Sequence, residues 1–104
     1  MKKTQPLEVI HNYSIPADTI FIEPNDGYEL SLINTKYNFP LLYVEKLEQI
    51  KESSNGFTSF ELVLDNTCKK STIRVNTKIW KNWGKPYKVI LINNGSKIIA
   101  HKSE

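Results

Sequence analysis

Residues 78–88, KIWKNWGKPYK, hold two tryptophans, one tyrosine and four lysines, with no acidic residue among them. Lysine ammonium groups attract phosphates and flat aromatic rings stack on nucleobases, so this combination is typical of surfaces that bind single-stranded nucleic acid. A structural interpretation competes with it, because tryptophan is usually well buried and neighbouring lysines can cover the edge of a core. The segment therefore predicts either a binding surface or a packed turn with solvated lysines.

The charge distribution divides the chain into an acidic N-terminal part and a basic C-terminal part. Residues 1–65 hold five lysines and ten acidic residues, whereas residues 66–104 hold nine basic residues and one acidic residue, Glu104. Such a split indicates either an anionic ligand or two halves that pair with each other in the fold. Thirteen lysines against one arginine also fit the codon usage of an AT-rich genome, so the net charge of +3 carries little weight alone.

The candidate nucleic-acid-binding residues are the cations of this region and two aromatic residues. They are Lys69, Lys70, Arg74, Lys78, Trp80, Lys81, Lys85, Tyr87 and Lys88. The cations are expected to contact phosphates, and the two rings are expected to stack on bases. Phosphate contacts carry little sequence information, so the expected binding is of low specificity.

Two local geometries are possible for this segment. In the first, Thr77 caps a single helical turn that Gly84 closes, which turns Trp83 inward. In the second, a strand over 71–79 continues to Trp80 and presents alternate side chains outward. The outward row of that strand would be Thr72, Arg74, Asn76, Lys78 and Trp80.

No spacing in the sequence predicts catalysis or a metal site. His11, His101 and Cys68 are scattered, whereas zinc sites use closely spaced pairs of ligands. Two lysines follow Cys68 and could lower its thiol pKa, but a nucleophile also needs a base placed beside it. The acidic residues of 18–29 flank an expected turn and lack the spacing of a calcium loop. We therefore expect a protein that is not an enzyme and has no metal or cofactor.

Length and composition predict one domain over residues 1–104. Leucine, isoleucine, valine and phenylalanine make up 30 of the 104 residues, enough apolar content for one core. The apolar runs are too short to cross a membrane, and the N-terminus lacks the apolar stretch of a signal peptide. A single cysteine fits a reducing compartment, so the expected location is the cytoplasm.

Alternation of apolar and polar residues predicts strands along most of the chain. They cover residues 7–13, 19–23, 28–34, 57–65 and 71–79. PNDG at 24–27 predicts the turn between the second and third strands, with Gly27 at positive φ, and Pro40 predicts a break after them. The segment 43–52 is ambiguous, because strong helix formers precede the hairpin pair Asn55-Gly56.

Residues 88–101 predict a hairpin around Asn94-Gly95. A two-residue turn there would pair Leu91 with Ile98 and would leave apolar residues on both faces. Both faces must then be covered, by the rest of the chain or by a second copy that would make the protein a homo-oligomer.

The predicted fold is mainly β, with about seven short strands in a small barrel or a two-layer sandwich. The segment near 43–52 could add one short helix or a further strand. No internal repeat is visible in the sequence. The leading functional hypothesis is low-specificity binding of single-stranded nucleic acid through residues 69–88. The alternative is a protein-interaction or inhibitor module, of the kind that phages and mobile elements encode, acting through the acidic residues 18–29 or the hairpin 88–101.

Overall fold

The computed structural model describes residues 2–46 and 57–103. These residues form eight strands and two short helices in the following order. The elements are β1 (Lys2–Lys3), β2 (Leu7–His11), β3 (Thr19–Ile22), α1 (Pro24–Glu29), β4 (Lys36–Val44), β5 (Thr58–Leu64), β6 (Thr72–Val75), α2 (Thr77–Asn82), β7 (Lys88–Asn93) and β8 (Ile98–Lys102).

Seven strands close into a mixed barrel in the order β7-β2-β6-β3-β5-β4-β8, with β8 pairing back onto β7. The outer strand β1 pairs with β7. The pairs β2–β6, β3–β5 and β4–β8 are parallel, and the remaining pairs are antiparallel. The mainly β fold predicted from the sequence is confirmed, and of the two architectures considered the protein adopts the barrel.

The barrel interior is filled by the inward side of almost every strand. The completely buried side chains of this interior come from both the N-terminal and the C-terminal parts of the sequence. They include Leu7, Ile20, Ile22, Ile73, Val75, Val89 and Leu91. The two helices contribute through their last positions, because the C-cap residues Leu30 and Trp83 both join this core.

The chain folds as two topologically equivalent halves, β2-β3-α1-β4 and β5-β6-α2-β7. In the first half β2 runs parallel to β6 and antiparallel to β7. In the second half the equivalent of β2 is β5. It runs parallel to β3, the equivalent of β6, and antiparallel to β4, the equivalent of β7. The strands β3 and β6 pair with each other through Phe21 and Arg74, which places a pseudo-two-fold axis at that pair.

Details of the loops repeat as well. The side chain of Asn12 accepts a hydrogen bond from Ser14 N at 2.8 Å, and that of Asp65 accepts one from Thr67 N at 2.9 Å. A single capping residue separates each helix from the strand before it, and the side chain of that residue accepts a hydrogen bond from the backbone N–H two positions further along. Few residues are identical between equivalent positions, which is why the sequence shows no repeat although the fold has one.

Residues 24–34 are the main departure from the predicted elements. The PNDG turn is wrong, because Glu23 caps a helix and Pro24 takes the first helical position, where its missing N–H costs nothing. Gly27 is helical and does not have the expected positive φ. The strand predicted over 28–34 is also wrong, since it covers the end of α1 and a loop that buries Leu30.

Pro40 does not break the chain and lies within β4. Pairing of β4 with β8 begins only at Leu41, so Pro40 lies where β4 has a hydrogen-bonding neighbour on one side alone. Proline is tolerated at such positions because it has no N–H to donate. In the ambiguous segment 43–52, residues 43–44 end β4, and residues 47–52 lie outside the described residues.

The C-terminal hairpin forms with a longer loop than predicted. Leu91 pairs with Ala100, two positions beyond the expected partner, because residues 94–97 form a four-residue loop. The faces of the strands are nevertheless as predicted, since a shift of two keeps side-chain parity. On the outer face Ile92 and Ile99 are buried with Val44 in a second cluster. Both faces of the hairpin are thus covered within one chain.

Candidate nucleic-acid interface

The segment 78–88 adopts the first of the two local geometries. Asn76, one residue earlier than predicted, caps α2 by accepting a hydrogen bond from Lys78 N at 2.8 Å. Gly84 follows the helix with φ +82°, as a closing glycine should. The extended strand is wrong, because β6 ends at Val75 and Asn76 is buried.

Trp83 belongs to the core. Only 7% of its surface is exposed, and its ring stacks on Tyr43 with a centroid distance of 5.1 Å. This confirms the prediction that the helical turn directs Trp83 inward.

Trp80 is half-buried at the outer surface of α2. Its ring stacks on His11, with centroids 3.7 Å apart and planes 9° from parallel. Its Nε1 donates a hydrogen bond to Pro86 O at 3.2 Å, and Lys85 Nζ lies 5.8 Å from its ring centroid. One face of Trp80 is therefore covered by another ring, so this side chain is not the open stacking surface that the sequence suggested.

Three lysines lie on α2 or directly after it. Lys78, Lys81 and Lys85 are all exposed. Lys81 Nζ donates to the hydroxyl of Tyr13 at 2.9 Å and lies 5.6 Å from its ring centroid, and Tyr13 is 60% exposed. We call the group formed by these three lysines and three rings the α2 surface. Its members are His11, Tyr13, Lys78, Trp80, Lys81 and Lys85.

Tyr87 and Lys88 continue from this surface along the chain. Tyr87 is 58% exposed, and Lys88 Nζ lies 5.6 Å from its ring centroid. Two carboxylates lie nearby, since Lys88 pairs in register with Glu8 and the Glu45 side chain lies beside Gly84. The surface around α2 is thus basic without being free of acidic residues.

Lys69 and Lys70 do not join the α2 surface. They precede β6, whereas α2 follows it, so the length of that strand separates them from the helix. Lys70 Nζ instead binds the buried Asp26 at 3.1 Å, and this carboxylate raises the pKa of Lys70. Asp26 also accepts a hydrogen bond from Ser71 N at 2.8 Å. Its contacts with Lys70 and Ser71 therefore join the two halves of the fold.

Arg74 lies apart as well, in a pocket of about 220 Å³ at the pseudo-two-fold axis. The pocket is lined by Ser14, Ile15, Pro16, Phe21, Asp65 and Arg74. The positive guanidinium acts to lower the pKa of the Cys68 thiol, which is buried. Burial raises the pKa of this thiol and Arg74 only partly opposes it, so the expectation of an inert cysteine is supported.

Of the nine candidate residues, six therefore gather at α2 and the segment after it, and three lie elsewhere. Sequence reasoning missed His11 and Tyr13, which belong to the α2 surface. They reach it because β2 runs parallel to β6 and ends beside the start of α2, where His11 Nδ1 lies 3.0 Å from Thr77 Oγ1. These residues are 66 positions apart, and no local pattern indicates such a pairing.

Within residues 2–46 and 57–103, no three His, Cys, Asp or Glu residues lie close enough together to hold a metal ion. Neither of the two described helices is long and apolar enough to cross a membrane. No protein-family model matches this sequence, and a search of curated proteins found no significant similarity. The function must therefore be inferred from the chemistry of the α2 surface itself.

Proposed function

We propose that this protein is a non-enzymatic, cytoplasmic protein that binds single-stranded nucleic acid with low sequence specificity through the α2 surface. The observation that supports the proposal is the contact between exposed lysines and aromatic rings around one helix, with Lys81 on Tyr13 and Lys85 over Trp80. Cations that track a phosphate backbone beside rings that accept bases are the common design of single-strand binders.

The lysines of α2 supply the phosphate contacts. Lys78 and Lys81 extend from the helix, and Lys85 follows it in a left-handed conformation with φ +59°. Lysine is a flexible point charge that holds a phosphate without reading a base edge, which accounts for the low specificity. The start of the six-residue helix does not bind phosphate in this proposal, because the Asn76 side chain already accepts from Lys78 N.

The proposal is tested with Lys78→Ala and a fluorescently labelled single-stranded oligonucleotide of mixed sequence. Affinity should fall for all sequences alike, and the slope of log K against log salt should become shallower by about 0.7, one phosphate's share for a single strand. Fluorescence anisotropy at several salt concentrations measures both quantities.

Lys36→Ala is the matched control, because Lys36 is an exposed lysine at the start of β4, far along that strand from the residues that contact α2. It should leave affinity and salt slope unchanged. Absence of binding by the wild-type protein at low salt, or equal effects of the two substitutions, would contradict the proposal.

A protein-binding function through the α1 end is the second candidate. Ile33 is 80% exposed and Tyr28 is 55% exposed, close in sequence to the acidic Glu23 and Glu29. Apolar side chains beside carboxylates suit a basic protein partner. The hairpin 88–101 supports this candidate less, since its outer isoleucines are buried in the second cluster.

A further inference from the structure

Building on the proposed function, we infer that a nucleobase stacks on the outer face of His11, with Tyr13 as the neighbouring ring, and that the α2 surface therefore selects single strands over duplexes. Neither residue belongs to the cationic segment that first suggested nucleic-acid binding. The inference rests on the geometry of the His11–Trp80 pair, on its difference from the equivalent position in the other half, and on the placement of Tyr13.

His11 is an exposed residue although one face of its ring is covered. Trp80 stacks on that face at 3.7 Å, and the Nδ1 edge meets Thr77 Oγ1 at 3.0 Å. Because these contacts occupy one face and one edge, we assign the exposure of this residue to the opposite ring face and the remaining edge. A base placed there would be the third ring of a continuous stack.

The two inner rings are held in place before any ligand arrives. Trp80 is fixed by its hydrogen bond to Pro86 O and by packing against the core, and His11 is fixed by Thr77. A base that binds to such a fixed platform loses its own freedom without having to order the protein, which favours binding.

At the equivalent position in the other half of the fold, the two residues serve only to pack the core. The residues equivalent to His11 and Trp80 are Leu64 and Gly27, and Leu64 is buried against that glycine. An aliphatic side chain over a glycine completes the core there. On the α2 side the chain instead places two flat rings in parallel and leaves the outer one accessible, which a core does not require.

Tyr13 provides a second flat ring beside this platform. It lies two residues after His11, is 60% exposed, and receives a hydrogen bond from Lys81 Nζ at its hydroxyl. A lysine that touches the ring is also placed to meet the phosphate next to a stacked base. In a duplex the faces of the bases are already stacked on one another, so only unpaired bases can use these rings.

The test measures the affinity of a single-stranded 12-mer of deoxythymidine for His11→Ala, His11→Phe and Tyr13→Ala. Losing a stacked base weakens binding by about 1–3 kcal/mol, so His11→Ala and Tyr13→Ala should each bind at least about fivefold more weakly. His11→Phe keeps a flat ring and should bind much as the wild type does. Tyr28→Ala is the control for Tyr13→Ala, because Tyr28 is a comparably exposed tyrosine on α1.

Two further measurements separate stacking from charge. The ring protons of His11 should shift upfield in NMR spectra when the oligonucleotide is added, because a stacked base adds its ring current. A duplex of equal phosphate content should compete for the protein at least about fivefold less well than the single strand, because its bases are already stacked and cannot contact the rings.

The outcomes distinguish this inference from the proposed function. If His11→Ala and Tyr13→Ala bind as well as the wild type while Lys78→Ala binds more weakly, phosphate binding stands and base stacking is overturned. Equal losses in His11→Ala and His11→Phe, or equal competition by duplex and single strand, would also overturn stacking. If the wild-type protein binds no oligonucleotide at low salt, both the proposed function and the base-stacking inference are wrong.

Discussion

The two tryptophans that suggested chemistry in the sequence have opposite environments in the fold. Trp83 and Trp80 are three positions apart, yet one is a core residue stacked on Tyr43 and the other supports an exposed ring. Trp80 lies within α2, whereas Trp83 is its C-cap residue and packs against Tyr43 of β4. At the scale of single residues, the useful distinction is which face of each ring another side chain covers.

Cys68 gives the clearest residue-scale prediction. Its side chain is 5% exposed and burial raises the pKa of its thiol, so little thiolate is present at pH 8 and that little is inaccessible. Iodoacetamide should therefore alkylate the native protein roughly tenfold or more slowly than the unfolded protein. Mass spectrometry of samples quenched over time measures both rates.

Arg74→Ala provides the comparison for this measurement. Removing the guanidinium takes away the contact that lowers the thiol pKa, so native labelling should not become faster through added thiolate. Rapid alkylation of the native wild-type protein would show that the thiol is reactive, against the expectation of an inert cysteine.

At the scale of elements, α1 depends on a glycine in its interior. Gly27 packs directly against Leu64, and a Cβ atom added at Gly27 would lie 2.5 Å from Leu64 Cδ2. Alanine normally favours a helix over glycine by about 1 kcal/mol. Here the crowding should dominate, because overpacking a core costs about 1–3 kcal/mol. We therefore expect Gly27→Ala to lower the free energy of unfolding, measured by urea denaturation.

A double-mutant cycle with Leu64→Ala isolates the cause. Removing the Leu64 side chain should relieve the crowding, so the double variant should be more stable than the sum of the two single effects predicts. Tyr28→Ala, at the exposed neighbouring position of α1, should show no such coupling with Leu64→Ala. A Gly27→Ala protein as stable as the wild type would show that Leu64 moves aside freely.

Elements with a strong local pattern were predictable, and those defined by distant partners were not. The strand β5 has alternating apolar residues, and Trp83 could be placed inward because glycine and proline limit the helix around it. The start of α1 was not predictable, because PNDG suits a turn as well as a first helical turn. The choice between them depends on the burial of Leu30 in a core built by other strands.

The residues of the candidate site also include some that local sequence predicts and some that only distant pairing places there. Lys78, Trp80 and Lys81 share the short helix α2 and Lys85 follows it, so their grouping depends on local sequence alone. Lys70 was assigned to the same surface because it is near in sequence, although β6 separates it from α2. His11 could not be assigned, since only the parallel pairing of β2 with β6 brings it to α2.

At the scale of the whole molecule, the charge split acquires a structural meaning. The acidic α1 and the basic α2 occupy equivalent positions about the pseudo-two-fold axis, with Asn25 and Tyr28 where α2 has Lys78 and Lys81. One charge of the basic half, Lys70, pairs with Asp26 of the acidic half. The pairing of the two parts of the chain is therefore observed at this ion pair, whereas an anionic partner for the lysines of α2 stays a prediction.

The same topology makes each half dependent on the other. Among the described strands, none of β1, β2, β3 and β4 pairs with another member of that group. Among β5, β6, β7 and β8, only β7 and β8 pair with each other. A half by itself has almost no strand partner, so it cannot satisfy its backbone hydrogen bonds or bury its apolar faces.

We accordingly expect fragments 1–46 and 47–104 to be unfolded when separate and to fold when mixed in equal amounts. Circular dichroism should show strand structure only in the mixture, and the emission of Trp83 should then shift to shorter wavelength as its ring becomes buried against Tyr43 of the other fragment. A mixture containing Ile20→Asp in the first fragment is the control, because a charge in the fully buried core should prevent association. Fragment 47–104 folding alone into a stable sheet would contradict this account, since β5 and β6 would then need neighbours other than β2, β3 and β4.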